Sequence, residues 1–181
     1  MSATPSTSSS AKASEIKVQG EAKGLSLDDV TGTLKLVSSD KKEYEVERKY
    51  TFVSTLVKTS LDTDASATEV PIPGVKSGIL AEVVIYMNHH KGVEPPIVEK
   101  PLRSKVMKDV CKDPFDADFI DRIGENRQAL YDLILAANYM DIKSLLHLGC
   151  AKVASLIKGQ PLEKIKDILT ITPKDDSKEP K

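Results

Sequence analysis

Between Thr33 and Glu47 apolar and polar side chains alternate. Leu34 and Leu36 are interleaved with Thr33, Lys35 and Val37; Ser38, Ser39 and Asp40 supply turn chemistry, and Tyr44 and Val46 alternate with Glu43, Glu45 and Glu47. Period two around a polar turn is the signature of a half-buried hairpin. Val70 and Ile72 make a very short third strand. Pro71 and Pro73 lack amide donors, which confines that strand to an edge or a short pairing. Ahead of it, Ser54 is placed to cap a short helix carrying Leu56, Val57 and Leu61, and residues 62–68 read as a polar loop.

From Ser77 the period lengthens to that of a helix. Ile79, Val83, Tyr86 and Met87, widened by Leu80 and Val84, predict a helix to His90 that lies on the small sheet. Residues 92–112 contain Pro95, Pro96 and Pro101 among mixed charges and read as a mobile surface loop. A short helix over 116–122 follows, with Phe115, Phe119 and Ile120 as its apolar contacts. Leu130, Leu133, Ile134 and Ala137 then fall at i, i+3, i+4 and i+7, while Tyr131, Leu135 and Ala136 make the far side apolar. This predicts a central helix covered on most sides.

The periodicity stops at Asn138, and Asp141 is a candidate cap for a helix beginning at Ile142. Asn138 and Tyr139 therefore sit at a corner. The new helix carries Ile142, Leu145, Leu146, Gly149, Cys150, Val153, Leu156 and Ile157, with Gly159 as its stop. Pro161 suits the first turn of a last helix whose apolar positions are Leu162, Ile165, Ile168 and Leu169. Strands first, helices after, and strands too short to stand alone predict one α+β domain, a three-stranded sheet covered by helices with a helical extension.

Composition narrows the function classes. A chain of 181 residues, 40% hydrophobic, can bury one sizeable core. A net charge of -1 with interspersed Lys and Glu gives no nucleic-acid footprint. No apolar run approaches the roughly 18 residues of a membrane span. Residues 1–33 read as a disordered extension without the apolar core of a signal peptide or the arginines of a mitochondrial presequence, and 172–181 as a short polar tail. Two distant cysteines, Cys111 and Cys150, exclude a disulfide scaffold and point to a reduced compartment, cytoplasm or nucleus.

Catalytic chemistry is thin. His89 and His90 are adjacent at a helix end, where side chains point in different directions, and His147 falls on the polar side of its helix, so a structural or surface role is expected for each. Cys150, on an apolar stripe, reads as a small core residue. PGVKSG at Gly74 lacks the spacing of a phosphate loop. Asp113, Asp116, Asp118 and Asp121 lack calcium-loop spacing and read as the charged outer face of a helix start. No nucleophile with a base, metal set or cofactor site can be assembled, so a noncatalytic binding protein is expected.

The segment LILAANYMDIKSLL, with KLVSSDKKEYEVE at Lys35, VPIPGV at Val70, NHHK ending at Lys91 and FDADFI at Phe115, resembles the S-phase kinase-associated (Skp) adaptor family of SCF ubiquitin ligases. The resemblance runs from about Leu34 to Ile171. It implies a BTB/POZ-like fold over 34–138 and F-box-binding helices over 139–171. It also implies a cullin-facing corner at Asn138, Tyr139, Asp141 and Lys143; the stretch from Phe119 to VPIPGV is left unassigned as a flank of that surface. F-box contacts are implied for Val153, Leu156, Ile157, Leu162, Ile165, Ile168 and Leu169. From the residues alone, Tyr139 can equally pack across the helix break, Asn138 cap the helix before it, and the last two stripes serve core packing.

Departures from the family pattern are Tyr86 and Phe115 in place of tryptophan, and Arg48 and Lys49 in place of acidic residues. Relatives continue past Ile171 with an acidic, aromatic-containing tail that clamps the F-box; here ten residues follow, none aromatic. That difference implies altered or weakened F-box binding. It keeps open a second role as an assembly subunit that forms a homodimer or joins another scaffold.

Overall fold

The short strands are held together by burying one face each. In the computed structural model, which describes residues 31–170, β1 (Thr33–Ser38) is central, with β2 (Glu43–Glu47) antiparallel on one side and β3 (Glu69–Ile72) parallel on the other. The polar tail at 172–181 and all but the last three residues of the expected N-terminal extension lie outside the described residues. Thr33 already belongs to the sheet. Leu34 faces Val46 and Leu36 faces Val70, so their side chains and Ile72 meet on one buried face. Pro71 is exposed on the edge strand, where its missing donor costs no ladder bond.

Helix α1 (Thr55–Thr63) buries Val57 and Leu61 after a 3-10 turn at Arg48–Val53. Helix α2 (Ser77–His90) covers the sheet through Leu80, Val83, Val84, Tyr86 and Met87. Its own N-cap position, Lys76, makes no side-chain bond. The cap comes from the hairpin turn instead: Asp40 Oδ1 accepts from Ser77 N (2.8 Å) and the other carboxylate oxygen accepts from Ser77 Oγ. A carboxylate at a helix N-terminus is favoured by both hydrogen bonding and the helix dipole.

The segment expected to be a mobile loop contains a helical turn, α3 (Met107–Val110), whose Met107 is buried. Single apolar residues within proline-rich sequence carry no period, so the turn is not visible in the pattern. Helix α4 (Pro114–Gly124) starts two residues earlier than the periodicity predicts, because Asp113 accepts from Phe115 N and Pro114 takes the first position. Helices α5 (Arg127–Tyr139), α6 (Lys143–Ile157) and α7 (Leu162–Leu169) complete the described residues. Leu130 and Leu133 of α5 and Leu145 and Leu148 of α6 join the sheet and α2 in one core. A Cβ on Gly149 would lie 2.5 Å from Ile134 Cγ1, so α5 and α6 approach closely there. Among the described residues no helix is long and apolar enough to cross a membrane.

Two expectations fail on the helices. Leu135 is 63% exposed, so α5 is not covered on that side. Cys150 is exposed, because the buried face of α6 passes through Leu145, Leu148, Gly149 and Ala151 rather than through it. His147 is half-buried, with Nδ1 enclosed.

The hydrogen bonds from Ser77 hold the Asp40 carboxyl down at about 2, against an ordinary value of 3.8. The folded value is the lower one, so this stabilisation is present above pH 3.8 and is lost as pH falls towards 2. A carboxyl-detected NMR titration is expected to place the Asp40 midpoint near 2; an ordinary midpoint would contradict the remote cap.

Candidate interaction surfaces

The corner after α5 is built from backbone bonds. Ile142 N donates to Ala137 O (2.8 Å) and Asp141 N to Asn138 O (3.2 Å), the paired bonds of a Schellman stop. The left-handed position falls on Asp141, with φ +49°, a residue type that tolerates it better than most. The expectation that Asp141 caps the next helix is thereby overturned. Helix α6 begins at Lys143 with Ile142 at the cap position and no side-chain bond from it. Its amide at Ser144 donates instead to Glu94 Oε1 (3.2 Å).

Helix α1 fixes this corner in place. The carbonyl of Met140 accepts from Ser54 Oγ (2.6 Å) and Leu56 N (3.4 Å), and that of Asp141 accepts from Thr55 N (3.3 Å). Ser54 Oγ also accepts from Val57 N (3.3 Å). The electropositive start of one helix thus meets the electronegative end of another. Ser54, Met140 and Ile142 are buried, and Asn138, Tyr139 and Lys143 are exposed around them, with Asp141 half-exposed.

Tyr139 is 42% exposed and rests on Gly74, where an added Cβ would lie 2.9 Å from the ring. The VPIPGV loop therefore abuts the corner. Leu135, one turn before Tyr139, shares a shallow depression with Gly74, Lys76, Ile79 and Asp132. Sequence reasoning missed Leu135 as a surface residue by counting it with the buried side. Its i,i+4 spacing to Tyr139 was the available signal. The ring packs on Gly74 and is otherwise open. Asn138 does not cap by its side chain; its carbonyl accepts from Asp141 N.

The second surface lies at the other end of α5. No residue of α7 is buried, and Leu162 and Leu169 are 68% and 50% exposed. Helix α7 is tethered by its last carbonyls: Tyr131 Oη donates to Ile168 O (2.7 Å) and Arg127 Nη1 to Asp167 O (2.6 Å). Ile165 and Ile168 are half-exposed, as are Val153, Leu156 and Ile157 on α6. Val153 and Leu156 also touch the core. Seven residues proposed for one face are therefore brought onto α6 and α7 with their apolar atoms only partly covered.

The histidines form a latch between α2 and α4. His89 Nε2 lies 2.8 Å from Asp113 Oδ2 and His90 Nε2 2.8 Å from Asp116 Oδ1. His89 stacks on Phe115 with ring centroids 3.7 Å apart. The expectation that the two imidazoles diverge, and that Asp116 lies on an outer face, is corrected: Asp116 is buried against His90. Hydrogen bonding to His89 draws the Asp113 carboxyl below its ordinary range. His89, His90 and Asp113 each bring a ligating atom within 4.8 Å of the others, but the His–Asp bonds account for this cluster. Burial, reinforced by Asp116, raises the Cys111 thiol to about 11, which keeps it protonated near neutrality.

Residues 32–92 match the family model described as Skp1 family, tetramerisation domain, and residues 143–180 that described as Skp1 family, dimerisation domain. The chain is 40% identical over 145 residues to the S-phase kinase-associated protein 1 homolog of Tetrahymena thermophila, covering 80% of this chain and 86% of that protein. It is 37% identical over 142 residues to the E3 ubiquitin ligase complex SCF subunit sconC of Arthroderma benhamiae (78% and 84% covered). It is also 37% identical over 139 residues to the SCF ubiquitin ligase complex protein SKP1a of Dictyostelium discoideum (76% and 83% covered).

Replacing Ser54 by alanine removes the hydroxyl that bonds Met140 O and caps α1, and is expected to cost roughly 1–2 kcal/mol in urea unfolding. An unchanged unfolding midpoint would contradict the role given to this hydroxyl.

Proposed function

The chain belongs to the Skp1 family of noncatalytic SCF ubiquitin-ligase adaptors, and on that premise we propose that it bridges a cullin to F-box substrate receptors. The observation that carries the reading is the placement of two exposed faces at opposite ends of α5. Tyr139 lies twelve residues along that helix from Arg127, roughly 18 Å at the helical rise. Two partners can therefore be held without meeting at the same atoms.

The cullin face is Asn138, Tyr139, Asp141 and Lys143, extended by Leu135 and the Gly74 loop. A tyrosine whose ring is braced from below offers contact area at low entropic cost, which suits an interface anchor. The F-box face is Val153, Leu156 and Ile157 on α6 with Leu162, Ile165, Ile168 and Leu169 on α7. An amphipathic helix with no buried residue is supported by a partner's apolar helix in the manner of helix-in-groove recognition. The two free cysteines support a reducing compartment, cytoplasm or nucleus, as the place of action.

A second reading, pairing of two copies through α7, draws on the same lack of cover over that helix. The two readings separate by mass, because self-association would give a concentration-dependent dimer of the chain alone that F-box protein dissolves or fails to dissolve.

The test is affinity capture from the source organism with the wild type beside an Asn138→Lys, Tyr139→Lys variant whose melting is unchanged. The expected result is that the wild type retains a cullin and F-box proteins while the variant loses the cullin alone. Loss of both partners, or of neither, would contradict the division into two faces.

A further inference from the structure

The latch between α2 and α4 brings together the donors of a metal centre. Two imidazole nitrogens, from His89 and His90, and a carboxylate oxygen of Asp113 lie within 4.8 Å of one another. Tetrahedral zinc, with bonds of about 2.0–2.1 Å, sets its ligand atoms roughly 3.3 Å apart. Closing on an ion widens the 2.8 Å His89–Asp113 contact a little and draws in the other pairs by about 1.5 Å at most. Rotation of the side chains supplies such a movement.

Each ligand is also held by a second contact that an ion leaves in place. Asp113 Oδ1 accepts from Phe115 N (2.9 Å), while Oδ2 is the oxygen beside His89. The His89 ring stacks on Phe115. The His90 ring stands at 89° to that of His89 and packs on Tyr86 with centroids 4.3 Å apart. Asp116, buried, lies 2.8 Å from His90 Nε2, the position of the outer carboxylate that orients a metal-bound imidazole. The donors therefore sit at the end of one helix and the cap of another, on rigid elements. The His–Asp bonds keep the cluster assembled with protons in the place of an ion.

Access and donor type decide what enters. The side chains of His89 and Asp113 are 36% and 37% exposed, which opens the cluster to solvent, and His90 at 7% closes its inner side. Imidazole nitrogens suit zinc, copper and nickel, whereas magnesium and calcium take shells of oxygen.

We propose that His89, His90 and Asp113 bind a divalent transition-metal ion of the zinc type, with water completing its shell. The ion ties the end of α2 to the start of α4 and uses no residue of either partner face.

The test is calorimetric titration of the metal-stripped full chain at neutral pH with zinc and, separately, with magnesium, followed by NMR of the imidazole rings. Binding of one zinc per chain is expected, with magnesium at least tenfold weaker, and with ring shifts at His89 and His90 but not at His147. His89→Gln and Asp113→Asn should each weaken zinc about tenfold or more. Asparagine still caps a helix and His89 is exposed, so both variants keep the fold. Cys111→Ser and Cys150→Ser should leave the zinc affinity unchanged. No zinc binding by about 1 mM, equal binding of magnesium, indifference to the two ligand variants, or loss of binding in either cysteine variant would overturn the proposal.

Discussion

The fold depends on a contact between two helix ends of opposite polarity. The first turn of α1 donates to the carbonyls of Met140 and Asp141, where α5 stops. Those carbonyls have no partner within α5, and the amides at the start of α1 have none within α1. Each end satisfies the other, with Ser54–Met140 buried and Thr55–Asp141 at the surface, and this fixes where the chain turns. A residue in the left-handed conformation at Asp141 completes the turn. The exposed side chains of Asn138, Tyr139 and Lys143 inherit their positions from this backbone.

Residues distant in sequence take up similar duties elsewhere. Asp40, in a hairpin turn, caps α2, and Glu94, in the segment after α2, reaches the start of α6. His89 and His90 tie the end of α2 to Asp113 and Asp116 at the start of α4. Helix ends are thus closed by loops packed against them, which makes the loops part of the scaffold. Exposed apolar side chains remain at the corner, on α7, and also at Ile85, Val93, Ile97 and Val106.

What was legible in the sequence followed from period. Alternation at Leu34, Leu36, Tyr44 and Val46 marked the hairpin, Pro71 and Pro73 marked the edge strand, and the 3.6-residue stripes marked α2, α5 and α6. The corner was legible as a break, and the family resemblance located it. Features without period were not legible. Leu135 and Cys150 sit on apolar stripes, but a stripe does not say where cover ends, and both are exposed. Met107 is one buried side chain within a polar segment, and Asp116 is one acid among four that turns inward to His90. Asp141 looked like a helix start because an aspartate after a break usually is one; its positive φ belongs instead to the Schellman stop of α5.

The central claim is that the two faces at the ends of α5 are occupied at once by different partners. Native mass measurement of the full chain mixed with a cullin N-terminal region and an F-box protein tests it most directly. One species containing a single copy of each is the predicted result. Displacement of one partner by the other, or a self-paired chain that excludes the F-box protein, would contradict it.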